Sequence, residues 1–452
     1  MATDQPEFQP QLGSFSATCI VIGAIVGIGI FFTPRTVALV TGSVNLAMLA
    51  WLVGGMIAMC GALTYAELGS RYTRNGGQYE VLRDAYAPPI GFAYVFCNAT
   101  IIQAGAIAII GYYSALYFGV LIRGEELGDF TNFLIAAIMI VGLTVANIAG
   151  VRWGSAIQNV TVIAKVSTLL TITVIALFVP IASHVPLNEE AQAAMQLIEG
   201  SSPWALVFAG LVPVFFSFGG WQHALWIGGE VKQARRNVPL AIVVGVLTVT
   251  LVYLAVNWAY FHLLGLSGVL NAEALTADAV AVAWPEIGKQ LVAGAIAVSG
   301  FGVLNAQLLS GPRLVSGMAR DGKFFRPFAQ VHAATGTPVA AIMLLGGLGL
   351  LILLAAGSPK RIDQLLNGVV LVDAVFFLLT GIALFILRRR DADSQETAMF
   401  RVPLIFPALF VVGEIFVLAG AFLSESYRSG AYIGVLWIAG ALICYARYFR
   451  GR

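Results

Sequence analysis

A chain of 452 residues and 47.9 kDa, 59% hydrophobic, 11% charged and with a mean hydropathy of +0.87, departs far from soluble proteins, where about a quarter of residues carry charge. That balance excludes most soluble enzyme classes. A net charge of +2 leaves no clustered excess of Lys and Arg for a nucleic-acid stripe, so the sequence reads as a membrane protein.

The polar start, MATDQPEFQPQ, lacks the basic n-region, short apolar core and small-residue cleavage site of a secretory signal. The first apolar run is therefore expected to remain as a span. Runs long enough to cross about 30 Å of hydrocarbon as helices lie near 14–39, 43–69, 90–121, 131–149, 155–182, 203–229, 239–265, 289–318, 338–357, 362–387, 404–424 and 429–448. They are continuously apolar rather than alternating, which predicts twelve helices and not a barrel. With the N-terminus inside, 17 of the 25 Lys and Arg fall in loops on one face. The positive-inside rule then places both termini in the cytoplasm of a multi-pass cell-membrane protein.

Span 1 carries Gly23-Ala24-Ile25-Val26-Gly27-Ile28-Gly29-Ile30-Phe31-Phe32-Thr33-Pro34. Gly and Pro clustered at membrane depth point to a helix break, although Gly23 and Gly27 also suit close helix packing. Lys165 lies ten residues into span 5, about 15 Å along the axis, and reads as a fixed cation or a proton carrier. Span 6 carries a second break at Phe215-Phe216-Ser217-Phe218-Gly219-Gly220-Trp221. Its aromatics Phe216, Phe218 and Trp221 can cover a substrate or simply pack in the core. Near the centre of span 10, Asp373 can face a substrate, titrate or pair. Glu67, Glu230 and Arg313, at span ends, fit a gate-closing ion network or solvated helix ends equally well, and Glu414 in span 11 has no clear partner.

The breaks stand five spans apart, an odd number, so the second copy enters the membrane from the opposite face. Interrupted helices at matching positions of inverted halves point to a transporter site at the midplane. The expected organisation is a cytoplasmic tail over 1–13, a first repeat over 14–182, a second over 203–387, spans 11 and 12 over 404–448 and a cytoplasmic tail over 449–452. Each break presents one half-helix N-terminus with free N–H groups and one C-terminus with free carbonyls. An α-amino acid matches such a dipolar site. Its carboxylate is expected on the N–H groups of Gly27, Ile28, Gly29 and Ile30, and its ammonium on carbonyls near Ile25, Val26, Phe216, Ser217 and Phe218, with Gly219 and Gly220 completing the second break.

Cys19, Cys60, Cys97 and Cys444 all sit in apolar runs without CxxC or Cys/His spacing, so neither a metal site nor a disulfide framework is expected. The four histidines form no HxxxH pair or Ser/His/Asp grouping. No enzymatic activity and no cofactor are expected.

At this point the chain resembles the amino acid–polyamine–organocation superfamily, and within it the L-type amino acid transporter group and its bacterial relatives. The resemblance rests on the break in span 1, Tyr65-Ala66-Glu67-Leu68-Gly69, Gly76-Gly77-Gln78-Tyr79 and Phe216-Ser217-Phe218-Gly219-Gly220-Trp221. Further matches are Glu230 with Arg236-Asn237-Val238-Pro239-Leu240, Asp278-Ala279-Val280, Arg313-Leu314 with Ala319-Arg320-Asp321-Gly322, and Thr337-Pro338-Val339. It implies an all-α, LeuT-type five-plus-five inverted repeat with broken helices 1 and 6, and sodium-independent amino acid transport by alternating access. It also implies that Lys165 stands where sodium-coupled relatives hold an ion, that Phe216 is the outer gate and that Asn305 is a polar site residue of span 8. Three departures matter. Ile28 replaces a serine usual at the first break, Asp373 replaces an often neutral residue, and the loop Arg123-Gly124-Glu125-Glu126-Leu127-Gly128-Asp129 lacks the cysteine that joins animal members to a glycoprotein. The leading reading is an exchanger or facilitator of neutral amino acids with no disulfide-linked heavy chain. A proton-coupled or cationic amino acid or polyamine carrier using Asp373 and Lys165 is the alternative, with a channel or a non-transporting sensor more remote.

Overall fold

Helices account for every span in a computed structural model that describes residues 8–179, 185–286, 288–357, 359–391, 399–423 and 425–451. At Phe216, 359–370, Ala421, Leu423 and 425–429 it describes the backbone alone. Span 1 is two helices, α1 (Ser14–Ile25) and α2 (Thr33–Thr41), joined through a 3-10 turn at Gly29–Phe31. Then come α3 (Val44–Arg71), the short α4 (Gly77–Ala85), and span 3, built from α5 (Pro88–Cys97), a π-turn (Asn98–Gln103) and α6 (Ala104–Arg123). The first repeat closes with α7 (Asp129–Ile148) and α8 (Val151–Phe178), and α9 (Glu189–Leu197) follows. The second repeat contains α10 (Pro203–Phe218), α11 (His223–Trp226), α12 (Ala234–Asn271), α13 (Leu275–Ala281), α14 (Gly288–Arg320), α15 (Val339–Ala356) and α16 (Pro359–Arg390). Two more helices, α17 (Ile405–Leu423) and α18 (Glu425–Tyr448), end the chain.

Among the described residues, nine helices are long and apolar enough to cross a membrane alone. Three shorter apolar stretches, Ser14–Ile25, Pro203–Phe215 and Ile405–Gly420, fall on spans 1, 6 and 11, which completes twelve spans. The two broken spans are short because their breaks consume helix, as the Gly and Pro clusters lead one to expect. Local chemistry sets several starts. Ser202 accepts a hydrogen bond from the Ala205 amide (3.2 Å), and Pro203 follows at the first helical position, where its missing N–H costs nothing. Pro34, in the first turn of α2, likewise has no N–H to leave unbonded.

Three short helices escape the hydropathy reading. The first, α4, has a strongly two-faced pattern, α9 is capped by Asn188 through the Ala191 amide (2.8 Å), and α13 lies between spans 7 and 8. None contains an apolar run long enough to register as a span. The sequence reading ends span 7 at Gly265. There α12 kinks (φ 64°, ψ 175°) and then continues to Asn271.

Packing follows the inverted repeat. Span 2 packs on span 7 (α3 on α12), and span 3 on span 8 (α6 on α14). Each of these helices therefore meets its counterpart from the other half, as elements beside a pseudo-two-fold axis must. The broken helices occupy the centre: α1 lies against α8, α12 and α14, while α10 lies against α2 and α3. Outside this core, α17 and α18 pack on α16, with α17 also against α3 and α18 against α5.

Candidate functional site

The first break begins where α1 runs out at Ile25. Val26 adopts φ −73°, ψ 87°, and the Gly27 amide donates to the Ile25 carbonyl at 2.8 Å. That pairing is an inverse γ-turn. It consumes the Gly27 amide and leaves those of Ile28, Gly29 and Ile30 without a hydrogen bond among the described residues. The second break follows Phe218. Gly219 is extended (φ −62°, ψ 143°) and Gly220 has φ +135°. A Cβ on Gly220 would stand 2.7 Å from the Ala24 carbonyl carbon and 2.8 Å from the Ile25 nitrogen, so the two breaks touch backbone to backbone only because this residue has no side chain.

Lys165, fully buried on α8, donates from Nζ to the carbonyls of Val26 (2.6 Å), Gly23 (3.0 Å) and Ser299 (3.4 Å). Ser299 Oγ of α14 donates toward the carbonyls of Val26 and Gly27, both at 3.2 Å. A buried ammonium needs several acceptors to offset its desolvation, and here it finds them at the C-terminal end of α1, where the helix dipole is negative. Tyr253 OH of α12 reaches the carbonyls of Ser217 (3.1 Å) and Ile25 (3.3 Å), tying the two breaks together. The carbonyls of Ile25 and Val26, expected to receive a ligand ammonium, thus already have protein donors. The Phe218 carbonyl, at the last turn of α10, accepts none among the described residues. Gly23 serves close packing instead: a Cβ there would collide with Gln158 of α8.

A cavity of about 600 Å³ lies against these breaks. It reaches past Thr33, Thr36 and Tyr117, toward the face opposite the chain ends. Of the expected site residues, Ile25, Gly27, Ile28, Gly29, Ser217 and Gly219 line it. Phe32, Ile109, Ile110, Tyr113, Val303 and Gln307 are lining residues that the sequence reading did not single out. No charged side chain lines it among the described residues.

Other expectations are corrected. Phe218 packs in the core against Trp51 and Tyr253, with ring centroids 6.2 and 5.2 Å away. Trp221 stacks on Phe377 (5.3 Å) and meets Tyr65 and Phe410. Both follow the core-packing reading, because their rings turn into the core while Ser217 and Gly219 stay on the cavity wall. Asn305 faces the opposite side of α14 from Val303 and Gln307. It donates to the Gly154 carbonyl (2.9 Å) and Gln158 Oε1 (2.8 Å), and accepts from Asn147 (3.0 Å), so it joins α7, α8 and α14. Asp373 is half-buried on α16, within electrostatic reach of Tyr65 and Glu414, and does not line the cavity. Ile30 and Gly220 are buried behind the breaks. The side chain of Phe216 lies outside the described residues.

The end of the molecule that holds both chain termini is sealed. Arg313 and Glu230, 0% and 1% exposed, pair through Nε–Oε1 (2.9 Å) and Nη2–Oε2 (3.1 Å), and Asn75 donates to the same carboxylate (3.0 Å). The amides of Gln11 and Leu12 both donate to the Glu230 carbonyl at 2.8 Å, and Lys232 N–H returns a bond to Leu12 (2.9 Å). Glu67 holds Arg71 at 2.9 Å, Arg388 Nε at 2.8 Å and the Val402 amide at 2.9 Å. Arg83 pairs with Asp321. Glu67, Glu230 and Arg313 thus lie in buried ion pairs and not at solvated helix ends. Gln78, from the loop motif after span 2, forms a buried hub that donates to Tyr65 and Thr380 (both 3.0 Å) and accepts from Tyr94 (2.7 Å) and Trp226 (3.0 Å).

Known transporters share this sequence along nearly its whole length. The serine/threonine exchanger SteT of Bacillus subtilis is 29% identical over 98% of both chains. The human cystine/glutamate transporter is 30% identical over 91% of this chain and 80% of its own. The mouse b(0,+)-type amino acid transporter 1 is 27% identical over 97% of this chain and 87% of its own. The sequence model of the amino acid permease family matches residues 12–446, and the chain belongs to that family, within the amino acid–polyamine–organocation superfamily.

Proposed function

We propose that this permease is a sodium-independent exchanger of neutral amino acids that works by alternating access. The observation that carries the reading is the Lys165 ammonium seated among the carbonyls of Gly23, Val26 and Ser299. A fixed cation there bridges α8, the first break and α14 without help from a dissolved ion. The substrate carboxylate takes the free amides of Ile28, Gly29 and Ile30, at the positive end of the chain entering α2. The ammonium takes the Phe218 carbonyl at the negative end of α10. With no charged side chain on the cavity wall among the described residues, a charged substrate side chain would be desolvated without a partner, and this favours neutral substrates. A relative that is named as an exchanger supports the same mode.

The cavity faces away from the sealed, termini-bearing end, so the conformation described is the one that loads from the opposite side. The positive-inside count assigns the termini to the cytoplasm and the loading side to the exterior. Cys19, Cys60 and Cys97 are buried and Cys444 is half-buried, all within the spans. This supports a transporter that works without a disulfide-linked partner.

Purified protein in liposomes loaded with unlabelled amino acid tests the proposal. The expected result is uptake of labelled neutral amino acid in sodium-free buffer that depends on internal amino acid and ignores an imposed pH gradient. Uptake that requires sodium, or that proceeds equally into empty liposomes, overturns the exchanger reading.

A further inference from the structure

Ser217 is 4% exposed and lines the cavity, yet its hydroxyl makes no hydrogen bond among the described residues. Other helical hydroxyls in this chain settle on the carbonyl four residues back: Thr41 on Val37, Thr64 on Cys60, Thr144 on Ile140, Ser310 on Ala306 and Thr380 on Phe376. That local bond is the usual way for a Ser or Thr inside an apolar helix to satisfy itself. Ser217 declines it, and its Oγ lies 3.6 Å from where a Cβ on Gly29 would be, beside the unbonded amides of the first break.

Gln307 is the second anomaly. It also lines the cavity, its Oε1 is buried without a partner, and its amide as a whole makes no hydrogen bond among the described residues. Gln78 in the same interior uses its amide on four partners. Gln307 follows Val303 by one turn on α14, and Val303 Cγ2 lies 3.6 Å from where a Cβ on Gly27 would be. One helical turn is about 5.4 Å, a distance that an amino acid side chain of two to four heavy atoms spans. A carboxamide also serves as donor or acceptor, whichever way it is turned.

We infer that Ser217 and Gln307 select, among neutral amino acids, those whose side chains carry a hydroxyl or a carboxamide, with Ser217 reading the β-substituent and Gln307 the end of a longer side chain. The inference rests on the amino acid reading above and deepens it. Both polar atoms are buried without a partner among the described residues. A substrate hydroxyl or amide that reaches them supplies the missing hydrogen bond, whereas a methyl group of the same size leaves the polar atom stranded. The surrounding wall, Ile109, Ile110 and Val303, contributes contact with any side chain and so does not discriminate between isosteres.

Two isosteric pairs test this on the wild-type protein in liposomes, with labelled threonine as the probe: threonine against valine, and asparagine against leucine. The expected result is that the polar member of each pair competes at a concentration roughly tenfold lower than the apolar one. Equal potency within both pairs, with exchange intact, overturns the inference and leaves the proposed function standing. Absence of competition by any amino acid removes both. Ser217→Ala is expected to collapse the threonine-to-valine ratio more than the asparagine-to-leucine ratio, and Gln307→Leu the reverse. Each ratio is taken within one protein, so loss of folded material cancels, and Ser217→Thr restores the first preference. Variants that leave both ratios unchanged overturn the assignment of these residues.

Discussion

Lys165 shows how one buried charge can hold a helix break in place. Its ammonium sits on carbonyls of α1, the first break and α14, and replacing it by an apolar residue strands the buried Gly23 carbonyl, at roughly 1–3 kcal/mol, and takes one donor from the carbonyls of Val26 and Ser299. Lys165→Ala is therefore expected to lower the thermal midpoint of the purified protein and to slow exchange by at least about tenfold. Tryptophan-fluorescence melting and liposome counterflow measure the two effects, and unchanged values in both would remove Lys165 from the site. Depth along a span made this residue legible in the sequence, since a cation about 15 Å into an apolar helix has to find acceptors. Its partners were not legible, because which face a helix turns to which neighbour is a property of the packed bundle. The same limit explains Asn305, Phe218 and Trp221. They sit in runs so evenly apolar that no period distinguishes cavity wall from core, and only packing shows that Gln307, two residues after Asn305, holds the exposed face. Tyr253 and Ser299 were missed for the same reason, their one signal being a polar atom in a greasy run.

At the scale of elements, the two breaks were the most legible feature, because glycine and proline act through the backbone and need no knowledge of neighbours. What the sequence did not show is that the breaks are in contact. Gly220 provides the contact, with φ +135° and no room for a Cβ beside Ala24 and Ile25. Gly220→Ala combines strain with a clash against backbone, which cannot rotate away as a side chain would. It is expected to push the second break off the first and abolish substrate-dependent thermal stabilisation. Gly219→Ala, where φ is −62° and no atom lies within 4 Å of the new Cβ, is expected to retain that stabilisation. Equal behaviour of the two variants would count against the contact as the determinant. Helices α4, α9 and α13 were invisible to hydropathy because they lie outside the long apolar runs, and the π-turn at Asn98–Gln103 leaves no trace in composition at all.

For the molecule as a whole, twelve spans, their inverted repetition and the shared side of the two chain ends were all readable from run lengths and loop charges. Which side of the site is closed was not, since closure is a relation between distant segments. It centres on Glu230, whose carboxylate holds Arg313 and Asn75 while its carbonyl holds the amides of Gln11 and Leu12. Removing one partner of a buried ion pair costs roughly 3–5 kcal/mol, largely because the remaining charge is stranded. That cost falls on the conformation sealed at the termini-bearing end and is relieved once opening admits water. Arg313→Ala is therefore expected to shift the population toward the state open at the chain ends. A cysteine placed at Thr36, on the cavity wall far from the seal, should react more slowly with a water-soluble maleimide in the Arg313→Ala background than in the wild-type one. Glu230→Gln should act in the same direction, since it strands the guanidinium instead. The double variant Glu230→Gln/Arg313→Gln leaves no charge to strand, so its labelling rate is expected to fall between those of the single variants and wild type. If the three variants label Thr36→Cys at the wild-type rate, the Glu230 cluster does not hold the gate, and closure rests on the Glu67–Arg388 and Arg83–Asp321 pairs.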